Sequence, residues 1–304
     1  MDLVSLSRKE LLDECFELGL KKYKSKSKKE LIELLSSTFT NISPLKPLIK
    51  WCGGKCDEIK LFEKHIPLNY DKYIELFVGG GALYFHLRPE KAIINDTHKH
   101  LIDFYKAIKN GFSNDIIEYM NENKNEEETY YKIRDNNEEI NYIENAKKFY
   151  YIRKTCFRGM MRYNKKGNFN IPFGKYKSIN YEDLKNKDYE ELLKSCEIFN
   201  EDYKKILEEY NDENNFIFID PPYDSNFKNY GFNDFTKENH IELAELFKKN
   251  KSKCLIIIGK TDFIVDLYKD YIVDEYEKKY KFKLYDNRIG DEINNKHLII
   301  KNFT

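Results

Sequence analysis

An apolar run, Phe216–Ile219, leads directly into Asp220-Pro221-Pro222-Tyr223. Prolines in this position end a strand ladder and fix the backbone. They can hold the Asp220 carboxylate and the Pro221 carbonyl in one plane, facing the crevice at the strand's carboxyl end. Two such acceptors suit an exocyclic aromatic amine such as that of adenine. The lone pair of that amine is delocalised into the ring, which makes it a poor nucleophile. Accepting both of its N–H bonds favours a more tetrahedral nitrogen, able to attack an electrophilic methyl in line. Tyr223 adds a flat face on which an extruded base could stack. The competing reading is a plain strand-terminating turn, common for Pro-Pro pairs but less so with this Asp and Tyr.

Gly79-Gly80-Gly81 follows the apolar stretch Lys72–Val78 and precedes Ala82–Leu87, so a strand-to-helix junction there would let the backbone approach a ligand closely. The spacing is not that of a dinucleotide fingerprint, and a triple glycine alone is weak evidence. Asp96 closes the next apolar stretch, Ala92–Asn95, where nucleotide-binding sheets carry an acid for ribose hydroxyls; an acidic helix cap is the alternative. Between Lys147 and Lys187 stand twelve basic residues against two acidic ones, Glu182 and Asp183, although the whole chain balances 52 basic against 52 acidic side chains. Interleaved with them are Tyr150, Tyr151, Phe157, Tyr163, Phe169, Phe173 and Tyr176. A charge run alone reads more often as a solvated face, but the aromatics and Gly159, Gly167 and Gly174 shift the reading towards a phosphate-backbone contact surface.

These residues need elements to position them. Lys72–Val78, Ala92–Asn95, Phe216–Ile219 and Cys254–Ile258 read as strands. Leu101–Ile108 and Glu238–Lys248 read as helices between them, and Tyr280–Leu284 with His297–Lys301 read as a closing strand pair. Such alternation implies a mostly parallel sheet with helices on both faces. About 115 residues separate the second and third strands, too many for an ordinary crossover, and they read as an inserted subdomain. At the start, Ser7-Arg-Lys-Glu10 and Ser27-Lys-Lys-Glu30 are capping-box signals for two short helices. Leu11, Leu12, Cys15 and Phe16 would share one face of the first, which would end at Gly19. Leu31, Ile32, Leu34 and Leu35 belong to the second. Ser36–Pro47 reads as a linker.

Several classes are excluded. With 34% charged residues and no apolar run of roughly 18, the 304-residue chain does not read as a membrane protein, and its first residues lack a secretory h-region. A soluble intracellular protein is expected. Six scattered cysteines indicate a reducing compartment. Cys52 and Cys56 lack the second pair that a structural zinc site needs, so no metal is expected.

Together the segments resemble the Dam-like adenine-specific DNA methyltransferases. The matches, in order, are Lys50-Trp-Cys-Gly-Gly-Lys55, Phe77-Val-Gly-Gly-Gly-Ala82, Arg162 to Tyr176, and Asp220-Pro-Pro-Tyr223, with Asn95-Asp96-Thr97 where the family has its ribose-binding acid. The resemblance covers roughly Pro47 to Phe303. Its joint order and spacing are far more specific than any single motif.

The resemblance implies a Rossmann-like class I methyltransferase fold of the α/β class, with a mostly helical target-recognition insert at 111–187. The catalytic domain would then be 48–110 and 188–304. It implies S-adenosylmethionine as methyl donor and N6 of adenine in duplex DNA as acceptor, with the base flipped into the pocket of Asp220, Pro221, Pro222 and Tyr223. Trp51, Lys55, Glu75, Phe77, Gly79, Gly81, Asp96 and Asp220 would bind the cofactor, with Lys55 towards its methionine carboxylate. Arg158, Arg162, Asn164, Lys165, Lys166, Asn170 and Lys175 would bind DNA, Asn164 and Asn170 by either ordering backbone or contacting bases. Leu76 departs from the family, which usually has proline there. Residues 1–38 resemble a SAP-type DNA-binding module with a linker over 39–47; a plain helical hairpin is the alternative. A companion restriction endonuclease is a further implied partner. An RNA adenine methyltransferase and a binding module with a decayed site remain as competing readings.

Overall fold

The structure, a computed structural model, describes residues 6–17, 20–39, 43–136, 138, 140–223, 235–279 and 294–304. Gly19, Tyr280–Leu284 and the side chain of Leu35 lie outside them. Two compact units are present, Met1–Leu45 and Lys46–Thr304.

In the first unit, α1 (Arg8–Glu17) and α2 (Lys28–Phe39) pack around Leu11, Cys15, Tyr23 and Leu31. Both capping boxes form. The Ser7 and Ser27 amides donate to the Glu10 and Glu30 carboxylates at 2.6 and 2.8 Å, and the Glu10 and Glu30 amides donate back to the serine Oγ atoms. The Arg8 guanidinium donates to the Lys24 and Lys26 carbonyls, fixing the basic connection between the helices. Phe16 departs from expectation: it is 69% exposed instead of sharing the buried face of Leu11 and Cys15. A one-residue step along a helix turns a side chain by about 100°, and a two-helix core this small covers only a narrow stripe.

The second unit is built on one seven-stranded sheet. In chain order its elements are α3 (Ile59–Phe62), β1 (Lys72–Glu75), α4 (Ala82–Leu87), β2 (Ala92–Asn95), α5 (Lys99–Lys109), α6 (Ser113–Glu122), α7 (Glu127–Asp135), α8 (Tyr142–Thr155), α9 (Asp188–Lys194), β3 (Cys196–Phe199), α10 (Tyr203–Glu209), β4 (Asn215–Ile219), α11 (Lys237–Lys249), β5 (Lys253–Gly259), α12 (Asp262–Tyr268), β6 (Ile272–Lys279) and β7 (Asn294–Lys301). The strand order is β3-β2-β1-β4-β5-β7-β6, with β3 through β5 parallel and β7 antiparallel to both neighbours. Period-two alternation assigns the faces. Ile74, Ile217, Ile219, Ile256 and Ile258 pack under α10, α11 and α12 through Ile206, Leu243, Phe247 and Tyr268. On the other face Tyr73 meets Tyr84 and Phe216, and Phe62 stacks on Phe218.

Two strand expectations change. The first strand ends at Glu75, before Val78. Strand β3, at the sheet edge, has no counterpart in the sequence reading, because Cys-Glu-Ile-Phe carries a charge and spans only four residues. Among the described residues the last strand pairs with β5 and with β6, whose residues Ile272–Lys279 mix charge with apolar positions. Leu76 is fully buried, and its amide donates to the Phe218 carbonyl at 3.3 Å, a ladder bond that a proline could not make.

The chain runs outward from β1 through β2 to β3, then returns to β4 on the opposite side of β1. Its order reverses there, which opens a crevice beyond the carboxyl ends of β1, β2 and β4.

Candidate active site

Every chemically suggestive motif outside the basic block ends at this crevice. Asp220 leaves β4, Asp96 leaves β2, and the glycine turn leaves β1, so the two carboxylates flank β1. Trp51, Lys55, Glu75, Phe77, Gly79, Asp96, Asp220, Pro221, Pro222 and Tyr223 all line one cavity of about 520 Å³.

Its centre is an ion pair. Lys55, 2% exposed, donates from Nζ to both Asp220 carboxylate oxygens at 2.6 Å and to the Gly53 carbonyl at 3.0 Å. The ammonium is thus held against the carboxylate that the sequence reading places at the target amine. The same Nζ lies 5.1 Å from the Tyr223 ring centroid. Burial pushes the Asp220 pKa up, and Lys55 opposes that shift. Lys55 thus favours the ionised carboxylate, the form that accepts hydrogen bonds. Glu75 is also raised: buried, it is pushed up to about 8, chiefly by desolvation, while the Tyr73 hydroxyl donates to it at 2.7 Å. At neutral pH it is largely a neutral acid.

Asp96 is held by backbone. Its Oδ2 accepts from the Gly79 amide at 3.0 Å and its Oδ1 from the His98 amide at 2.9 Å. The Gly79 carbonyl accepts from the Tyr105 hydroxyl at 2.8 Å. Gly79 is required twice over: its φ is +47°, and a Cβ there would come 2.5 Å from Trp51 Cδ1. The indole therefore lies directly on the glycine turn. Gly81 does not line the cavity; at φ +69° it caps α4 and faces the Phe85 ring.

Sequence reasoning missed His98. It caps α5, accepting from the Leu101 amide on Nδ1 at 3.2 Å, and burial lowers its pKa to about 3. With Nδ1 an acceptor in a neutral ring, Nε2 carries the proton and donates to the Tyr163 hydroxyl at 2.6 Å. The ring also meets Trp51 edge-on at 5.4 Å. Its position two residues after Asp96, opening a helix, was the available signal. Tyr203, Phe235 and Asn239, also on the cavity wall, had no motif to mark them.

The residues expected to meet DNA lie elsewhere, on the excursion from Cys156 to Tyr176. Bridges at Cys156–Phe173 and Tyr163–Phe169 close it into a hairpin. Asn164 organises the tip, its Oδ1 accepting from the Lys166 and Asn168 amides at 2.9 and 3.0 Å. Arg162 Nε donates to Asn170 Oδ1 at 2.8 Å across the hairpin. Both asparagines are thus seen ordering backbone and a neighbouring arginine. Arg158, Arg162, Lys165, Lys166 and Lys175 are exposed. Elsewhere in the basic block, Lys147 pairs with Glu144, Lys185 with Glu182 and Lys187 with Glu190, while Arg153 is buried. The interleaved aromatics also divide, for Tyr150, Tyr151 and Phe173 are core residues. Among the described residues no group of three or more potential metal ligands occurs, and no helix is long and apolar enough to cross a membrane.

Residues 51–284 match the family of D12 class N6 adenine-specific DNA methyltransferases. The chain belongs to that family. Its span takes in both carboxylates, the glycine turn, the hairpin and Tyr223. Among relatives, the type II methyltransferase M.CviBI of Paramecium bursaria Chlorella virus NC1A is 51% identical over 85% of this chain and all of its own length. The type II methyltransferase M.MjaIII of Methanocaldococcus jannaschii is 34% identical over 74% of this chain and 86% of its own. The DNA adenine methylase of Haemophilus influenzae is 30% identical over 73% and 82%. The chain is accordingly an adenine-N6 DNA methyltransferase, and family membership implies S-adenosylmethionine as methyl donor. The cavity suits that molecule. It has carboxylates on both flanks, an indole plate, an apolar wall of Phe77, Val78, Leu83 and Phe218, and a volume within the usual range for small-molecule sites.

Proposed function

We propose that the crevice holds the methyl donor between Trp51, Phe77, the Gly79 turn and Asp96, and that the target adenine enters beside Asp220–Tyr223. The observation that carries this reading is the Lys55–Asp220 pair at the end of β4, in the same cavity as Asp96. When bound, S-adenosylmethionine supplies an electrophilic sulfonium methyl whose neutral thioether leaving group needs no metal. Asp96 accepts hydrogen bonds from ribose hydroxyls with the lone pairs that its two backbone donors leave open. Lys55 favours the ionised form of Asp220, and the carboxylate and the Pro221 carbonyl accept the two N–H bonds of the amine. Tyr223 stacks on the flipped base. Glu75, as a neutral acid, adds no second negative charge beside Asp220.

Residues 48–110 and 188–304 form the catalytic domain in this proposal, and 111–187 the target-recognition insert. Arg158, Arg162, Lys165, Lys166 and Lys175 contact DNA phosphates. Residues 1–38 act as a SAP-like accessory grip. Two relatives named type II methyltransferases support a place beside a companion endonuclease inside the cell.

The test is methyl transfer from labelled S-adenosylmethionine to mixed-sequence unmethylated duplex DNA, followed by nucleoside identification. Label in N6-methyladenine is expected, with a loss of roughly 10²–10³-fold or more for Asp220→Ala and an unchanged circular-dichroism spectrum. Label in RNA or cytosine, or near-normal rates with Asp220→Ala, would overturn the proposal.

A further inference from the structure

Arg153, on α8, is 3% exposed. Its Nη1 donates to the Met160 carbonyl at 2.6 Å, and its Nη2 to the carbonyls of Lys50 at 2.5 Å and Gly159 at 2.7 Å. Met161 Sδ is a fourth neighbour at 3.8 Å. Nε is buried with no hydrogen-bond partner among the described residues. A buried cation held by carbonyls alone is costly, and a lysine would cover the loop acceptors with less geometric definition. What the planar fork achieves here is a junction. Two acceptors, Gly159 and Met160, open the hairpin segment, and the third, Lys50, immediately precedes Trp51. The guanidinium carbon also lies 5.7 Å from the Trp51 ring. The hairpin reaches the indole by a second route as well, since Tyr163 holds His98, which meets Trp51 edge-on. Trp51 in turn rests on Gly79, whose amide holds Asp96.

We propose that Arg153 is a positioning residue that couples engagement of DNA by the hairpin to binding of the methyl donor at Trp51. This rests on the reading of the hairpin as the DNA-recognition element. Fixing Gly159 and Met160 on DNA sets the guanidinium, which sets Lys50 and the indole plate. Coupling of this kind is reciprocal, so the donor strengthens DNA binding by the same factor.

Trp51 is the chain's only tryptophan, so its fluorescence reports on this site directly. Full-length protein is titrated with S-adenosylhomocysteine, with and without saturating unmethylated duplex carrying the sequence recovered from the methylated product. The ratio of the two Kd values is compared across variants. In the wild type the duplex is expected to tighten binding at least about fivefold. Arg153→Met is expected to bring the ratio to within about twofold of one, and Arg153→Lys to at least halve it. A purely structural role would weaken binding with and without duplex alike and leave the ratio unchanged. A wild-type ratio of one, or a wild-type ratio retained by Arg153→Met, overturns the proposal. If Arg153→Met fails to fold, the Lys variant decides alone, and a retained ratio overturns the proposal. Duplex binding is followed in parallel by anisotropy of a labelled duplex. Its absence in hairpin-charge variants together with a coupling ratio of one in the wild type would sink only the Arg153 proposal. Duplex binding untouched by removal of the hairpin charges would sink the reading on which it rests.

Discussion

Among the residues at the crevice, Asp220, Asp96 and Glu75 line one cavity, and each has different surroundings. Asp220 has a lysine on both oxygens, Asp96 has two backbone amides, and Glu75 has the Tyr73 hydroxyl and the Tyr84 backbone amide within a desolvated wall. Burial raises all three, and Glu75 is pushed up to about 8. The consequence for stability has a definite sign. Between the ordinary carboxylate range and about pH 8, the unfolded chain has lost the Glu75 proton while the folded chain keeps it. Unfolding then releases a proton, so this residue makes stability fall as pH rises through that window. Glu75→Gln keeps an acceptor for the Tyr73 hydroxyl without the titration. It is expected to raise Tm by roughly 2–6 °C at pH 7.5, with the gain fading below pH 5. Thermal unfolding at both pH values checks this; equal shifts at the two would show that Glu75 does not titrate in this window.

Elements decide what the basic block can do. Its twelve cations look equivalent along the chain, yet helix α8 buries Arg153 and pairs Lys147, whereas the hairpin from Cys156 to Tyr176 exposes Arg162, Lys165 and Lys166 around a tip tied by Asn164. Charge at a rigid tip costs little entropy when it meets a phosphate backbone. Replacing Arg162, Lys165 and Lys166 together by alanine is expected to weaken duplex binding and to reduce the slope of log K against log salt by about 2–3. Anisotropy titrations at several salt concentrations measure that slope. An unchanged slope would place the phosphate contacts elsewhere. Methyl transfer at saturating DNA should fall much less, because none of the three residues lines the cavity.

For the whole molecule, the reversal of strand order at β1 is what makes a site out of distant segments. It brings Lys55 to Asp220 across 165 residues of chain, and Asp96 to the Gly79 turn on which the Trp51 ring rests. The unit Met1–Leu45 has its own core and caps, and every residue named above at the crevice belongs to the other unit. Deleting Met1–Ser43 is therefore expected to leave methyl transfer to short duplexes within about twofold, while lowering duplex affinity and flattening its salt dependence by about one phosphate contact or more. Unchanged affinity and slope in the truncated chain would assign the unit a role other than DNA binding.

Sequence alone determined the strand-ending Asp-Pro-Pro-Tyr, the glycine turn, the acid after the second strand, both N-terminal capping boxes and the alternation behind a parallel sheet. Each depends on spacing within a few residues, where backbone geometry leaves little choice. Tertiary structure alone decided the rest. That Lys55 is spent on Asp220, that Glu75 stays protonated, that Tyr150 and Tyr151 are core, and that Arg153 is a buried junction are matters of burial and of partners far away in the chain. Strands β3 and β6 escaped notice for a related reason: partly charged segments at the end of a sheet are held by pairing with a neighbour more than by their own apolar pattern. His98 lay between the two cases, legible as a helix cap but not as the link between an indole plate and a tyrosine 65 residues away.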